Sequence, residues 1–164
     1  MDPDLLRTAE KLLACCREEG LTLATAESCT GGMISAALTE IAGSSDVVDR
    51  GFVTYSNEAK REMLGVPAAL LDRHGAVSEE VARAMAEGGM KRAGTDLCVA
   101  VTGIAGPGGG SADKPVGLVH FAAARDGAGT LHRRVDFGDL GRAEVRRRSV
   151  AEAFSLLEQQ LDRQ

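Results

Sequence analysis

Ala24-Thr25-Ala26-Glu27-Ser28-Cys29-Thr30-Gly31-Gly32 is the stretch on which the fold turns. It follows the apolar Leu21–Leu23 and precedes the helix-like Met33–Glu40, so nine residues hold a strand end, a tight turn and a helix start. Ser28 falls at the turn, and the backbone N–H groups of Thr30, Gly31 and Gly32 open the helix. Such a helix start attracts negative charge, because its first N–H groups have no partner within the helix. A hydroxyl beside free donors offers acyl transfer a nucleophile and a place for the oxyanion. The plainer reading, with Thr30 as a helix cap and Ser28 filling a turn, fits the same letters.

Outward from this corner, the chain alternates helices and strands. Asp2-Pro3 starts a helix whose Leu5, Leu6, Ala9, Leu12, Leu13 and Cys16 share one face, and Gly20 ends it. Leu21–Ala26 reads as a buried strand and Val47–Tyr55 as a second, with Ala42-Gly43-Ser44-Ser45 breaking the helix between them. Ser56 caps a short helix over Asn57–Leu64, closed by Gly65-Val66-Pro67, and Ala68–Arg73 is a further helical piece. Ser78 caps Glu79–Ala93, whose small residues predict close packing against a sheet. Asp96–Val101 is an apolar strand, and Val116–Ala124 and Thr130–Phe137 form a hairpin about Arg125-Asp126-Gly127. Asp139 or Gly141 starts a last helix with Val145, Ser149, Ala153, Phe154, Leu157 and Leu161 inward. Helices alternating with strands and then interrupted by a hairpin predict an α/β sandwich with a mixed sheet.

The 164 residues suit one domain over 1–164, with no repeat or dividing linker. A net charge of −5, a single Tyr and no Trp argue against a nucleic-acid binder. No apolar run approaches a membrane span. Cys15, Cys16, Cys29 and Cys98 form no CxxC pair and no signal peptide is evident, which favours reduced thiols in a cytoplasmic protein. His74, His120 and His132 are scattered without ligand spacing, so no metal site is expected.

A serine at neutral pH needs a base, and no histidine lies where it obviously returns to Ser28. Lys60, in the corner Tyr55-Ser56-Asn57-Glu58-Ala59-Lys60, is the remaining option, since corners at one sheet edge gather at one site. Its pKa would have to fall from about 10.4 towards neutrality, worth about 4 kcal/mol, through burial or a second cation. The alternative is an exposed helical lysine paired with a neighbouring glutamate. Ser111-Ala112-Asp113-Lys114 spells a Ser-x-x-Lys motif, but between a glycine run and Pro115 it cannot form the helix that such a site needs. Thr102–Gly110 is glycine-rich yet lacks P-loop or Rossmann spacing; it is an anion nest or a flexible connection. Arg142 and Arg146, four apart on one helix face, could grip a phosphate or belong to a solvated patch with Arg147 and Arg148.

Together, Thr25–Gly32, Tyr55–Lys60, Val101–Gly109 and Lys114-Pro115-Val116-Gly117 resemble the C-terminal domain of the CinA (competence/damage-inducible) family, over roughly Leu5 to Leu161. The resemblance implies a three-layer α/β/α sandwich and deamidation of nicotinamide mononucleotide to nicotinic acid mononucleotide and ammonia, as in pyridine-nucleotide salvage. It implies Ser28 as nucleophile, Lys60 as its activating base and Tyr55 as a support or proton relay for that lysine. Thr30, Gly31 and Gly32 would serve the oxyanion, and Thr102, Gly103 and Arg142 or Arg146 the ribose and phosphate. It implies neither metal nor cofactor. The expected partner is a small-molecule pyridine mononucleotide, not nucleic acid or membrane. A homo-oligomer is expected, with the small residues of Ala82–Ala93 serving as intersubunit face or core. Many members carry a larger N-terminal domain resembling molybdopterin-binding proteins, which no stretch here matches. The C-terminal pattern also departs from the usual Gly-Asp-Arg, reading Gly138-Asp139-Leu140-Gly141-Arg142. The competing reading is a non-catalytic nucleotide-binding or competence-related partner module.

Overall fold

A computed structural model describes residues 1–163, so Gln164, the end of the expected domain, lies outside the described residues. The elements run α1 (Pro3–Glu19), β1 (Leu23–Glu27), α2 (Met33–Thr39), β2 (Val48–Val53), α3 (Asn57–Leu64), α4 (Ala68–His74), α5 (Glu79–Ala93), β3 (Leu97–Gly103), β4 (Leu118–Arg125), β5 (Gly129–Asp136) and α6 (Arg142–Leu161). Caps define several ends. Ser56 Oγ accepts from Ala59 N and Ser78 Oγ from Val81 N, while Gly20, Gly65 and Gly94 close helices in the left-handed region.

The strands form one sheet in the order β2-β1-β3-β4-β5. β1 is parallel to both neighbours, and β3-β4-β5 is an antiparallel meander, giving the expected mixed sheet. Alternate residues of the fully buried β1 feed two cores. Leu23 joins Leu12, Leu38, Phe121 and Phe154 beneath α1, α2 and α6. Ala24 and Ala26 join Leu64, Val81 and Met85 beneath α3, α4 and α5. The result is three layers, α/β/α.

The small residues of α5 pack inside the protein, among the described residues. A Cβ on Gly88 would run into the Leu64 carbonyl oxygen of α3, and one on Gly89 would lie 2.7 Å from Cys98 Sγ. This close approach seats α3, and with it Lys60, against the sheet. The connection leaving β1 runs to β2 on one side, whereas β3 leads to β4 on the other. The crevice beyond the carboxyl ends of β1 and β3 is therefore a topological switch point, where open α/β sheets hold their ligands.

Candidate active site

Ser28 follows the last residue of β1, and its N–H donates to the Val101 carbonyl at 3.0 Å, extending the β1–β3 ladder by one bond. The chain then reverses through Gly31 and Gly32 at φ +56° and +104°, a conformation that side chains disfavour. Gly31 N–H donates to the Ser28 carbonyl and Met33 N–H to that of Thr30. The turn places Ser28 on the α3–α5 face, where Lys60 waits.

Lys60 is 1% exposed, although it belongs to a largely polar helix. Its Nζ lies 3.0 Å from Ser28 Oγ, 2.9 Å from the Thr54 carbonyl and 3.2 Å from the Tyr55 carbonyl. Among the described residues it pairs with no carboxylate, so the exposed ion-paired alternative does not hold. Burial lowers its pKa from 10.5 to about 8, a smaller fall than neutrality requires. A neutral amine has two hydrogens and one lone pair. As an ammonium, Nζ donates to all three oxygens; once it is deprotonated, the two carbonyls keep its hydrogens and the lone pair is left for the Ser28 hydroxyl to donate to. Cys29, next to the serine, is 6% exposed, and burial pushes its thiol up to about 11. It is protonated at neutral pH and no rival nucleophile.

A cavity of about 230 Å³ opens over this pair, lined also by Tyr55, Thr102, Gly103 and Arg142. Thr102 Oγ1 donates to the Ala76 carbonyl at 2.9 Å, tying the α4–α5 connection to β3. Arg142 donates to the Tyr55 hydroxyl at 2.9 Å and to the Gly106 carbonyl at 2.9 Å. Tyr55 thus meets Lys60 through its backbone, while its phenol faces the arginine; no phenolic relay to Lys60 is formed. The glycine run contributes little to the lining, since Gly108, Gly109 and Gly110 are exposed. Ser111 and Lys114 form a turn, not a helix, and Lys114 Nζ donates to the His74 carbonyl.

Several predicted residues stand elsewhere. Thr30, Gly31, Gly32 and Arg146 do not line the cavity. Gly31 spends its N–H on the Ser28 carbonyl, so it is not a free oxyanion donor. Arg146 holds the turn from behind, donating to the Cys29 carbonyl at 3.1 Å and the Thr30 carbonyl at 3.3 Å. Arg147 and Arg148 form the solvated patch with Glu144 and Asp2. The opening of α2 is not a vacant anion site either. The Glu27 carboxylate occupies it, accepting from Ile34 N at 2.9 Å, Ser35 N at 3.1 Å and Thr30 Oγ1 at 2.6 Å. A carboxylate ending an apolar strand gives no motif, and only its place eight residues before Ser35 hints at a cap from outside the helix.

The histidines are less scattered than their spacing suggests, because the β4–β5 register sets His120 Nδ1 2.9 Å from His132 Nε2. Burial, and then that neighbouring imidazole, hold His120 down at about 4. Among the described residues no group of three or more His, Cys, Asp or Glu side chains is placed to hold a metal ion. Nor is any helix long and apolar enough to cross a membrane.

The family described as CinA C-terminal domain matches residues 6–161 of the sequence. The chain belongs to the CinA family. A CinA-like protein of Synechococcus sp. is 56% identical over 147 residues, covering 88% of this chain and 35% of the relative. The chain spans about a third of the length of the first such curated relatives. The nicotinamide-nucleotide amidohydrolase PncC of Escherichia coli K12 is instead matched nearly end to end. It is 49% identical over 160 residues, covering 97% of this chain and 96% of PncC. The crystal structure of the competence/damage inducible protein CihA from Agrobacterium tumefaciens superposes with a TM-score of 0.93 at 50% identity. That match covers 99% of this chain and 98% of the other.

Proposed function

We propose that this chain is an amidohydrolase that converts nicotinamide mononucleotide and water to nicotinic acid mononucleotide and ammonia, through an acyl-enzyme on Ser28. The observation that carries the mechanism is the buried Lys60 amine, 3.0 Å from Ser28 Oγ with two carbonyls taking its hydrogens. The substrate class rests on the near end-to-end likeness to PncC.

Ser28 Oγ attacks the carboxamide carbon while its proton passes to Lys60 Nζ. The tetrahedral intermediate collapses, the C–N bond breaks, and Lys60 returns the proton to the departing ammonia. Water then attacks the ester, again giving its proton to Lys60, which restores it to Ser28 Oγ as the acid leaves. The backbone amide of Cys29, which lines the cavity and donates to no other residue among the described ones, is the donor proposed for the oxyanion. Arg142 is the phosphate ligand of choice, because it is the arginine in the cavity and is already aimed by Tyr55 and Gly106. Thr102 and Gly103 border the ribose.

We infer further that residues 1–164 act as one domain, in the cytoplasm, as a homo-oligomer. The four cysteines are free thiols, and Val53, Tyr55, Met63 and Leu140 are exposed apolar side chains that a second copy would cover. Light scattering on the purified chain checks the last point; a monomer at working concentration would refute it.

Anion-exchange chromatography of nicotinamide mononucleotide incubated with the purified chain tests the function. The expected result is a more acidic nucleotide accumulating with enzyme and time. A nucleotide that raises Tm yet stays intact would replace the enzyme with the binding module.

A further inference from the structure

We infer that Glu27 is a positioning residue for the reaction: its buried carboxylate, locked to Thr30 and to the start of α2, fixes the turn that presents Ser28. This rests on the reading of Ser28 as nucleophile. Glu27 is fully buried, yet among the described residues no cation pairs with its carboxylate. Its acceptors are met instead by two helix-start N–H groups and one hydroxyl, the set that can hold a carboxylate in an apolar surrounding.

The connectivity makes this carboxylate a clasp. Glu27 lies one residue before Ser28, and its three donors lie after it, on Thr30, Ile34 and Ser35. The loop carrying the nucleophile is thereby closed on itself across the turn. The Glu27 carbonyl also accepts from Thr54 N at 2.8 Å, and Thr54 is the residue whose own carbonyl receives the Lys60 amine. One residue thus sets the height of the serine through its side chain and of the lysine through its backbone. Arg146 closes the opposite side on the Cys29 and Thr30 carbonyls. The Cys29–Thr30 segment, with the Cys29 amide proposed for the oxyanion, is held from both sides.

Gln at this position keeps the size but turns one acceptor into a donor facing donors. The substitution therefore loosens the clasp without opening a large void. Because Glu27 touches neither the cavity nor Lys60 Nζ, substrate affinity and the titration of the lysine should be spared. Loss of geometry in the turn should fall on kcat.

The test is steady-state ammonia release from nicotinamide mononucleotide by the native chain, Glu27→Gln, Thr30→Val, Thr30→Ser and Ser28→Ala, each checked for folding by circular dichroism at the assay temperature. Glu27→Gln and Thr30→Val should lose about tenfold or more in kcat, with KM within about twofold and the rising limb of the pH profile unmoved. Thr30→Ser, which keeps the hydroxyl, should retain most of the rate. Folded Glu27→Gln or Thr30→Val with near-native kcat would overturn the inference, as would a failure of Thr30→Ser to do better than Thr30→Val. If Glu27→Gln does not fold, the Thr30 pair decides alone. An active Ser28→Ala, or a native chain releasing no ammonia, would instead refute the underlying reading.

Discussion

Replacing Lys60 with Met should change how stability depends on pH, in an amount the structure supplies. Burial sets the folded-state pKa of Lys60 at about 8, against an ordinary 10.5. Between those values the unfolded chain holds a proton that the folded chain does not, so folding becomes more favourable as pH rises through this window. Below it both states are protonated, and the full cost of burying the ammonium, about 3 kcal/mol, is present. By about pH 10 some 2.5 kcal/mol of that cost is relieved. Lys60→Met has no amine to titrate. It also leaves the Thr54 and Tyr55 carbonyls without a donor, at about 1 kcal/mol each, but that loss does not depend on pH. Titration of other groups is common to both chains and cancels in their difference. Urea unfolding of both proteins at about pH 7 and about pH 10 should show the native chain gaining about 2.5 kcal/mol on the variant. A difference constant to within about 0.5 kcal/mol would mean that burial does not lower the Lys60 pKa, and the case for Lys60 as the base would be lost with it.

Activity should rise with pH as Lys60 deprotonates, with a slope of one and a midpoint of about 8 in kcat/KM; a profile flat across that range would contradict a lysine base. Thr54 Oγ1 is a buried side-chain oxygen without a partner among the described residues. Thr54→Val removes it while keeping the carbonyl that holds Lys60, so urea titration should show a gain of about 1 kcal/mol with near-native turnover. A loss of stability would reveal a bond that this hydroxyl makes. Arg142→Ala should raise KM about tenfold with little change in kcat, since a phosphate contact lies far from the reacting carbon; an unchanged KM would place the phosphate elsewhere.

The layers were legible because this chain marks its ends chemically. Ser56 and Ser78 before helices, and Gly20 and Gly65 after them, leave boundaries that the structure keeps to within a residue or two. The strand expected over Val47–Tyr55 is shorter, Val48–Val53, because Thr54 and Tyr55 turn their carbonyls to Lys60. Ser28 and Lys60 could be paired from sequence since both sit at strand-to-helix corners of one sheet edge. Arg142 and Arg146 could not be told apart. Four residues along one helix face, they diverge only in three dimensions, one into the cavity and one onto the back of the turn. Glu27 was hidden for another reason. Two of its three partners are backbone N–H groups, which every residue has, and the third, the Thr30 hydroxyl, reads from sequence as a helix cap. The His120–His132 contact likewise follows from hairpin register rather than from spacing.

The central claim is a serine nucleophile in an amide hydrolase, and ammonia release from nicotinamide mononucleotide by the native chain beside Ser28→Ala measures it most directly. Removing one hydroxyl that lies 3.0 Å from Lys60 Nζ leaves the cavity and the lysine in place. Steady release by the native chain, with at least about a thousandfold less from the variant, is the predicted result. Release by Ser28→Ala at a rate near that of the native chain would contradict it.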